Sequence, residues 1–280
     1  MSVDRLAGWP AEDTSTPESR PDPPPKNTDG NMIRRKTSAT GYLLISQIQH
    51  ARLAADIAKI WSSTELENYT LADDLHYAIE HHDDGWKDRD NTPDLNPATD
   101  LPRSFTEMEP DTALAIACRC IQACATHSPV CAYWVSQHFQ ILAEQRQQSA
   151  DLTPHAKQQT DRFLQQQRAT SGRHLPDIPA QILRQGTAWL RFFDRISLLL
   201  CCRLPADPDH TVAPDGQHVT IEQRPADDGT VAVKIPDGIR HAARLAVACH
   251  EYQPLQHTSW PDEDLPQVNL VFDIAKSAPR

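Results

Sequence analysis

Ala78-Ile79-Glu80-His81-His82-Asp83-Asp84-Gly85-Trp86 ends a short segment of helical apolar period and crowds two imidazoles and two aspartates into its last turn. At 3.6 residues per turn, Leu71, Leu75, Ala78, Ile79 and His82 share one face. His82 therefore points inward and His81 sideways, with Asp83 about 100° further round. Imidazole and carboxylate are good ligands for a first-row metal, and the negative end of a helix favours a cation beside it. An ion against this turn is within reach of His82 and Asp83 together. Gly85 stands where a left-handed residue would end the helix.

On the N-terminal side, residues 42–61 read as one long amphipathic helix with the stripe Leu43, Gln47, His50, Ala54, Ile57 and Trp61. His50 thus lies on the face that meets the core. By itself an inward histidine is more often a satisfied core residue than a ligand. On the C-terminal side, Pro, Asp and Asn dominate residues 86–105, which predicts a long loop. Lys87, Arg89 and Arg103 on that loop are candidate contacts for an anionic substrate, and Trp86 and Phe105 would pin it as one wall of the site; the alternative is a solvated loop whose charges do nothing.

Further helices are expected over 111–125, 130–147, 154–169 and 180–203. In the second of these, Cys131, Trp134, Val135, His138, Ile141 and Leu142 form one stripe, giving another inward imidazole at His138. The third is polar and Gln-rich and reads as a solvated cover. The last is apolar around Asp194, which shares a face with Leu183, Leu190, Leu198 and Cys201. An ionised carboxylate there is very costly unless paired or metal-bound. Ion pairing to Arg191 or Arg195 competes with metal coordination as its explanation.

Residues 1–38 hold six of the chain's prolines among Asp, Glu, Ser and Thr, a composition that does not bury enough apolar surface to order itself, and are expected to form a disordered tail. Residues 41–203 form the expected helical domain, and 205–280 a small β-rich region. In that last region 218–224, 230–236, 244–252 and 267–274 read as strands, with Asp-Gly turn signals at Asp215-Gly216, Asp228-Gly229 and Asp237-Gly238. The stretch 244–252 would also suit a helix, and a hairpin is expected around Ala226 to Gly229. Altogether the fold class expected is mainly α, a helical bundle with a small C-terminal antiparallel sheet.

A net charge of -11 argues against sequence-independent nucleic-acid binding, which needs a basic face. No apolar run approaches the roughly 20 residues of a membrane span and no secretory signal is evident, so a soluble, cytoplasmic protein is expected. Seven cysteines with spacings unlike zinc-finger pairs read as reduced, buried, small apolar residues. Nothing in the sequence reads out an oligomeric state.

The order His50, His82-Asp83, Asp194, with His82-Asp83-Asp84-Gly85 as a His-Asp-x-Gly motif, resembles the HD-domain superfamily of metal-dependent hydrolases. Gln47-Ile48-Gln49-His50, Ser136-Gln137-His138 and Phe193-Asp194-Arg195-Ile196-Ser197-Leu198 also look like an uncharacterised bacterial branch that shares that fold. The resemblance spans roughly residues 41 to 203. It implies a helical bundle in which His50, His82, Asp83 and Asp194 hold one divalent ion, with His138 available to a second ion or to substrate. The sequence departs from the better-known branch where Trp86 separates the glycine from Lys87.

Mn, Fe, Zn or Co suit this donor set. The expected function is a metal-dependent phosphohydrolase acting on a small phosphorylated molecule or nucleotide through a metal-activated water. Asp83 would touch ion and water, Asp84 orient the water, and Lys87, Arg89 or Arg103 hold phosphoryl oxygens. Two alternatives stand beside it. One is a di-iron oxygenase of the same superfamily; the other is a non-catalytic helical binding or scaffold protein with a degenerate site.

Overall fold

The computed structural model describes residues 32–38, 41–91, 95–99, 101–148, 152–172, 175, 177–202, 208–226, 228–235, 238–254 and 265–275. Most of the expected disordered tail, residues 1–31, lies outside these. Its last part does not behave as composition suggests. Ile33–Lys36 is a strand, β1, paired antiparallel with β2, Tyr42–Ile45, in the register Ile33↔Ile45. Ile33 is fully buried, while Arg35 donates to the carbonyl of Leu200 and Arg34 pairs with Glu107. Long cationic stems cover this edge and keep their charged ends satisfied.

β2 corrects the helix expected from residue 42. Tyr-Leu-Leu-Ile is a short apolar run that fits a buried strand as well as a helix, and its neighbours decide between them. The helix begins only after Ser46, whose hydroxyl accepts from the backbone N–H of Gln49. Helix α1 then runs Gln47–Ile60. A short helix α2, Thr64–Glu67, leads to α3, Ala72–His81. Residues 86–105 are not one loop. They contain a 3-10 turn, Asp84–Trp86, that runs into α4, Lys87–Asn91, and the short pair β3, Leu95–Asn96, with β4, Leu101–Pro102. A second 3-10 turn, Phe105–Glu107, is closed by a Ser104/Glu107 capping box.

Four long helices follow: α5, Pro110–Ala125; α6, Pro129–Gln147; α7, Pro154–Thr170; and α8, Ala180–Cys201. Pro occupies the first turn of α5, α6 and α7, where its missing N–H would have no helical partner. The Gln-rich α7 is more than a solvated cover, since Phe163 and Leu164 pack with Ala117 and Ala143.

The C-terminal strands are β5, Asp209–Val212; β6, His218–Pro225; β7, Val231–Lys234; β8, Ala243–Tyr252; and β9, Gln267–Ala275. β6 and β7 form the expected hairpin, with Gly229 at φ 83° in its turn. Gly216, at φ 87°, turns β5 into β6. Both turns carry the Asp-Gly signal because glycine adopts positive φ without a Cβ clash.

The expectation of a mainly α bundle with a small appended sheet is corrected by the topology. One seven-stranded sheet, ordered β1-β2-β8-β9-β7-β6-β5, joins the N-terminal hairpin to all five C-terminal strands. Its pairings are antiparallel except β7 with β9, which is parallel. Helices and sheet share one core: Ile45, Ile57, Trp61, Trp134, Trp189, Phe193, Val233 and Phe272 belong to a single buried cluster. The boundary expected near residue 205 therefore separates no packing unit. Among the described residues no helix is long and apolar enough to cross a membrane.

One close approach positions the helices that matter below. A Cβ on Gly186 of α8 would lie 2.3 Å from the ring of Trp134 on α6. Only glycine admits that ring, whose Nε1 donates to the carbonyl of Leu183 at 3.1 Å.

Candidate metal centre

Three helices present the inward residues that the periodicity singled out. His50 from α1, His82 at the end of α3 and His138 from α6 are 1%, 1% and 3% exposed. Their rings stand edge to face, His82 lying 5.4 Å from His50 and 5.5 Å from His138 by ring centroids. Asp83 follows His82, and Asp194 comes from α8.

The turn after α3 is made by close packing rather than by a left-handed glycine. His82 stays in the right-handed region at φ -59°, and among the described glycines only Gly216 and Gly229 have positive φ. A Cβ on Gly85 would instead lie 2.5 Å from the backbone nitrogen of Cys120 and 2.7 Å from the carbonyl oxygen of Ile116. Glycine there lets α5 press onto the 3-10 turn, which fixes how His82 and Asp83 leave α3. From the other side, α4 anchors α1. The buried Asp90 carboxylate accepts the N–H groups of Gln47 and Ile48 at 3.1 Å each, beside the cap from Ser46. Burial pushes Asp90 up to about 7, against the pull of those two donors.

Hydrogen-bond bookkeeping then sets the tautomers. His82 Nδ1 is 2.8 Å from the carbonyl of Ile79, which only accepts, so Nδ1 carries the proton. A neutral His82 therefore aims a bare Nε2 lone pair inward. That nitrogen is buried, makes no hydrogen bond, and lies 3.4 Å from Asp194 Oδ1 and 3.5 Å from Asp83 Oδ2.

His50 repeats the scheme. Ser197 Oγ donates its one proton to the carbonyl of Asp194 at 2.9 Å, and so accepts from His50 Nδ1–H at 3.0 Å. The Nε2 of a neutral His50 then faces Asp83 Oδ2 at 2.7 Å, lone pair against carboxylate. Two imidazole lone pairs and two carboxylates converge with nothing positive between them unless an ion or protons supply it.

Both occupants satisfy the charges. As a proton site, His82 is opposed by burial, but Asp83 and Asp194 outweigh that and push it up to about 9. Burial also works against ionisation of Asp83 and Asp194, yet the surrounding histidines hold both carboxyls below the ordinary range. Burial alone dominates at His138, whose pKa falls to about 4, leaving it neutral with an unpartnered Nδ1.

As a metal site the donor set also fits. Bonds of about 2.1 Å from N or O place neighbouring donors about 3.0 to 3.4 Å apart, close to the separations around His82 Nε2. His50 and His82 each have the outer nitrogen tied to a protein oxygen, the arrangement that orients ligating histidines. His50, His82 and Asp83 form one group of donors mutually within 4.8 Å, and His82, His138 and Asp194 form another.

The remaining candidates lie elsewhere. Asp84 turns to His81 at 3.1 Å and to the exposed Lys87 at 2.9 Å. Lys87 also borders a cleft of about 370 Å³ shared with Arg52, Asp90 and His250, outside the His/Asp cluster. Arg89 is on α4, and Arg103 hydrogen-bonds through its carbonyl to the N–H of Met32 in the segment beside β1. Neither arginine expected to neutralise Asp194 pairs with it, and Arg195 reaches Asp209 at 3.6 Å instead. The sequence reading missed Ser197, a fully buried hydroxyl in an otherwise apolar turn and three residues after Asp194. That isolated polarity was the available signal.

Fold and site together describe an α+β protein with a two-histidine, two-aspartate cluster buried where α1, α3 and α8 meet. The chain belongs to the family described as "Protein of unknown function (DUF3891)", whose profile matches residues 32–236. No curated protein and no solved structure matches it. The resemblance to the HD-domain superfamily is thereby corrected. The family that matches is a different one, and the helices pack on a seven-stranded sheet rather than standing as an HD-type bundle.

Proposed function

We propose that the chain is a metal-dependent hydrolase acting on a small phosphorylated molecule. The observation that carries this reading is the pair of imidazoles, His50 and His82, whose outer nitrogens are tied to Ser197 and Ile79 while their inner nitrogens face Asp83 and Asp194. A divalent transition ion, Mn, Fe, Zn or Co, would be held by these four side chains, with His138 beside them. When bound, such an ion supplies Lewis acidity toward a phosphoryl oxygen and lowers the pKa of water toward neutrality.

The chain's own residues would do the rest. Asp83 and Asp194 balance the charge of a divalent ion and Ser197 keeps the proton of His50 on Nδ1. The surrounding helices exclude bulk water, which strengthens each electrostatic contact. Asp194 is the most open of the four ligands, its side chain 14% exposed against 1% for His50 and His82, so substrate approaches from the α8 side. The same reading takes the protein as cytoplasmic, supported by seven free cysteines of which five are buried.

Elemental analysis of protein purified without added metal tests this directly. A near-stoichiometric transition metal is expected, lost in His82→Ala and Asp194→Asn with circular dichroism unchanged. Phosphate release from a panel of phosphomonoesters and phosphodiesters by the metal-loaded protein is the second expected result. Full metal retention in both variants, or a loaded protein inert on the whole panel, overturns the proposal.

A further inference from the structure

We infer that Arg191 receives the anionic end of the substrate, a role that rests on the metal-centre reading above. Arg191 precedes Asp194 by three positions on α8, so the two side chains are neighbours on one face of the helix. An i,i+3 Arg–Asp pair on a helix is within reach of an ion pair. Here none forms: Asp194 Oδ1 is turned to His82, and Arg191 makes no hydrogen bond and no ion pair within 4.0 Å among the described residues. The guanidinium is half-buried, and its charge acts on Asp194 and His138.

Charge bookkeeping favours an anion there. Two aspartates and one divalent ion sum to zero with neutral imidazoles, so Arg191 adds one unmatched positive charge beside them. Half-burial makes that charge stronger toward a ligand than it would be in open water. A guanidinium presents a planar fork of N–H donors that suits the oxygens of a phosphate, and it cannot lose its proton at working pH. Lys87, by contrast, is exposed and already bonded to Asp84. Taken with the hydrolase reading above, the substrate class is a phosphate ester whose anionic oxygens Arg191 would hold beside the ion.

Inorganic phosphate, one product of such a reaction, is the probe. Its affinity for the full-length, metal-loaded protein is measured by isothermal titration calorimetry in wild type, Arg191→Met and Arg191→Lys, with metal content determined on each sample. The expected result is unchanged metal content, phosphate binding weakened about 10- to 100-fold in Arg191→Met, and partial recovery in Arg191→Lys. Equal phosphate affinity in wild type and Arg191→Met, both loaded, overturns the role of Arg191 and leaves the metal centre standing. A loaded wild type that binds no phosphate overturns it as well. A wild type that takes up no metal overturns the metal-centre reading and this inference with it. Should Arg191→Met fail to fold, Arg191→Lys decides: it keeps the charge but not the fork, and undiminished phosphate binding in it refutes recognition by the guanidinium geometry.

Discussion

Ser197→Ala removes one oxygen and tests the whole tautomer argument. Ser197 is fully buried, and its hydroxyl accepts from His50 Nδ1 at 3.0 Å while donating to the Asp194 carbonyl at 2.9 Å. Without that oxygen the Asp194 carbonyl loses its donor and His50 must either keep an Nδ1–H with no acceptor or give up that tautomer, and the lost hydroxyl contacts cost about 1–3 kcal/mol. For a chain of this size each kcal/mol lowers Tm by about 2–4 °C, so a drop of about 2–12 °C is expected in the metal-free protein. The effect on the ion is separate. His50 is then free to carry its proton on Nε2, where it points at Asp83 and occupies the lone pair needed for coordination. Loss of such an outer partner weakens metal affinity by about 10- to 100-fold. Thermal melts of the metal-free protein and chelator-competition titrations of the same samples measure the two effects independently. A lowered Tm with unchanged metal affinity would refute the reasoning, because the hydroxyl would then serve packing alone.

Other residues give sharper tests of the frame around the site. Gly85→Ala places a methyl against backbone atoms of α5 at 2.5 and 2.7 Å, and backbone yields poorly, so destabilisation of about 1–3 kcal/mol or more is expected. Gly172→Ala, where a Cβ meets nothing within 4 Å, is the control, and equal melting curves for the two variants would contradict the packing account. Asp90, pushed up to about 7 in the folded chain from 3.8, holds a proton that the unfolded chain releases. Its contribution to stability is therefore complete below pH 3.8 and is lost as pH rises through about 7. Asp90→Asn should flatten the fall in denaturant midpoint between about pH 4 and 7, the window this shift defines, and an unchanged slope would reject the assignment. Among the cysteines, Cys118 and Cys202 are half-buried and the other five buried, so alkylation of the native protein should stop at two thiols. Seven rapid modifications would mean that the core is open.

The donors of the site were legible because each reports on its own helix. The stripes Gln47-His50-Ala54-Ile57, Leu75-Ala78-Ile79-His82 and Trp134-Val135-His138 are buried as their period requires. A polar residue on such a stripe needs a partner regardless of what the rest of the chain does. The sheet was harder to read. Tyr42–Ile45 is too short to separate strand from helix by period, and Ile33–Lys36 looks like part of a solvated basic segment until its partner strand is known. β8 shows the same limit, since its Ala and Leu residues are held extended by pairing on both sides rather than by their own preference.

That difference explains why the ligand residues and the fold could part company. Inward His and Asp on successive helices constrain only the faces that meet, here those of α1, α3, α6 and α8 around His82. What the rest of that face of α1 packs on is unconstrained by them, and in this chain Leu53, Ile57 and Trp61, further along the helix, share their core with the sheet residues Val233 and Phe272. A bundle and a helix-on-sheet layer can thus present the same donors in the same order, because function resides in the site and not in the architecture behind it. The sheet nevertheless bears on the candidate site, since it is tied to the start of α1 and to the C-terminal part of α8. β2 runs through Ser46 directly into α1, and Arg195 of α8, next to Asp194, is tied to Asp209 at the start of β5. Loosening the β5 contact by Arg195→Ala should therefore weaken metal affinity while leaving His50, His82 and Asp83 untouched. Chelator competition with unchanged affinity in that variant would show that α8 holds Asp194 without help from the sheet.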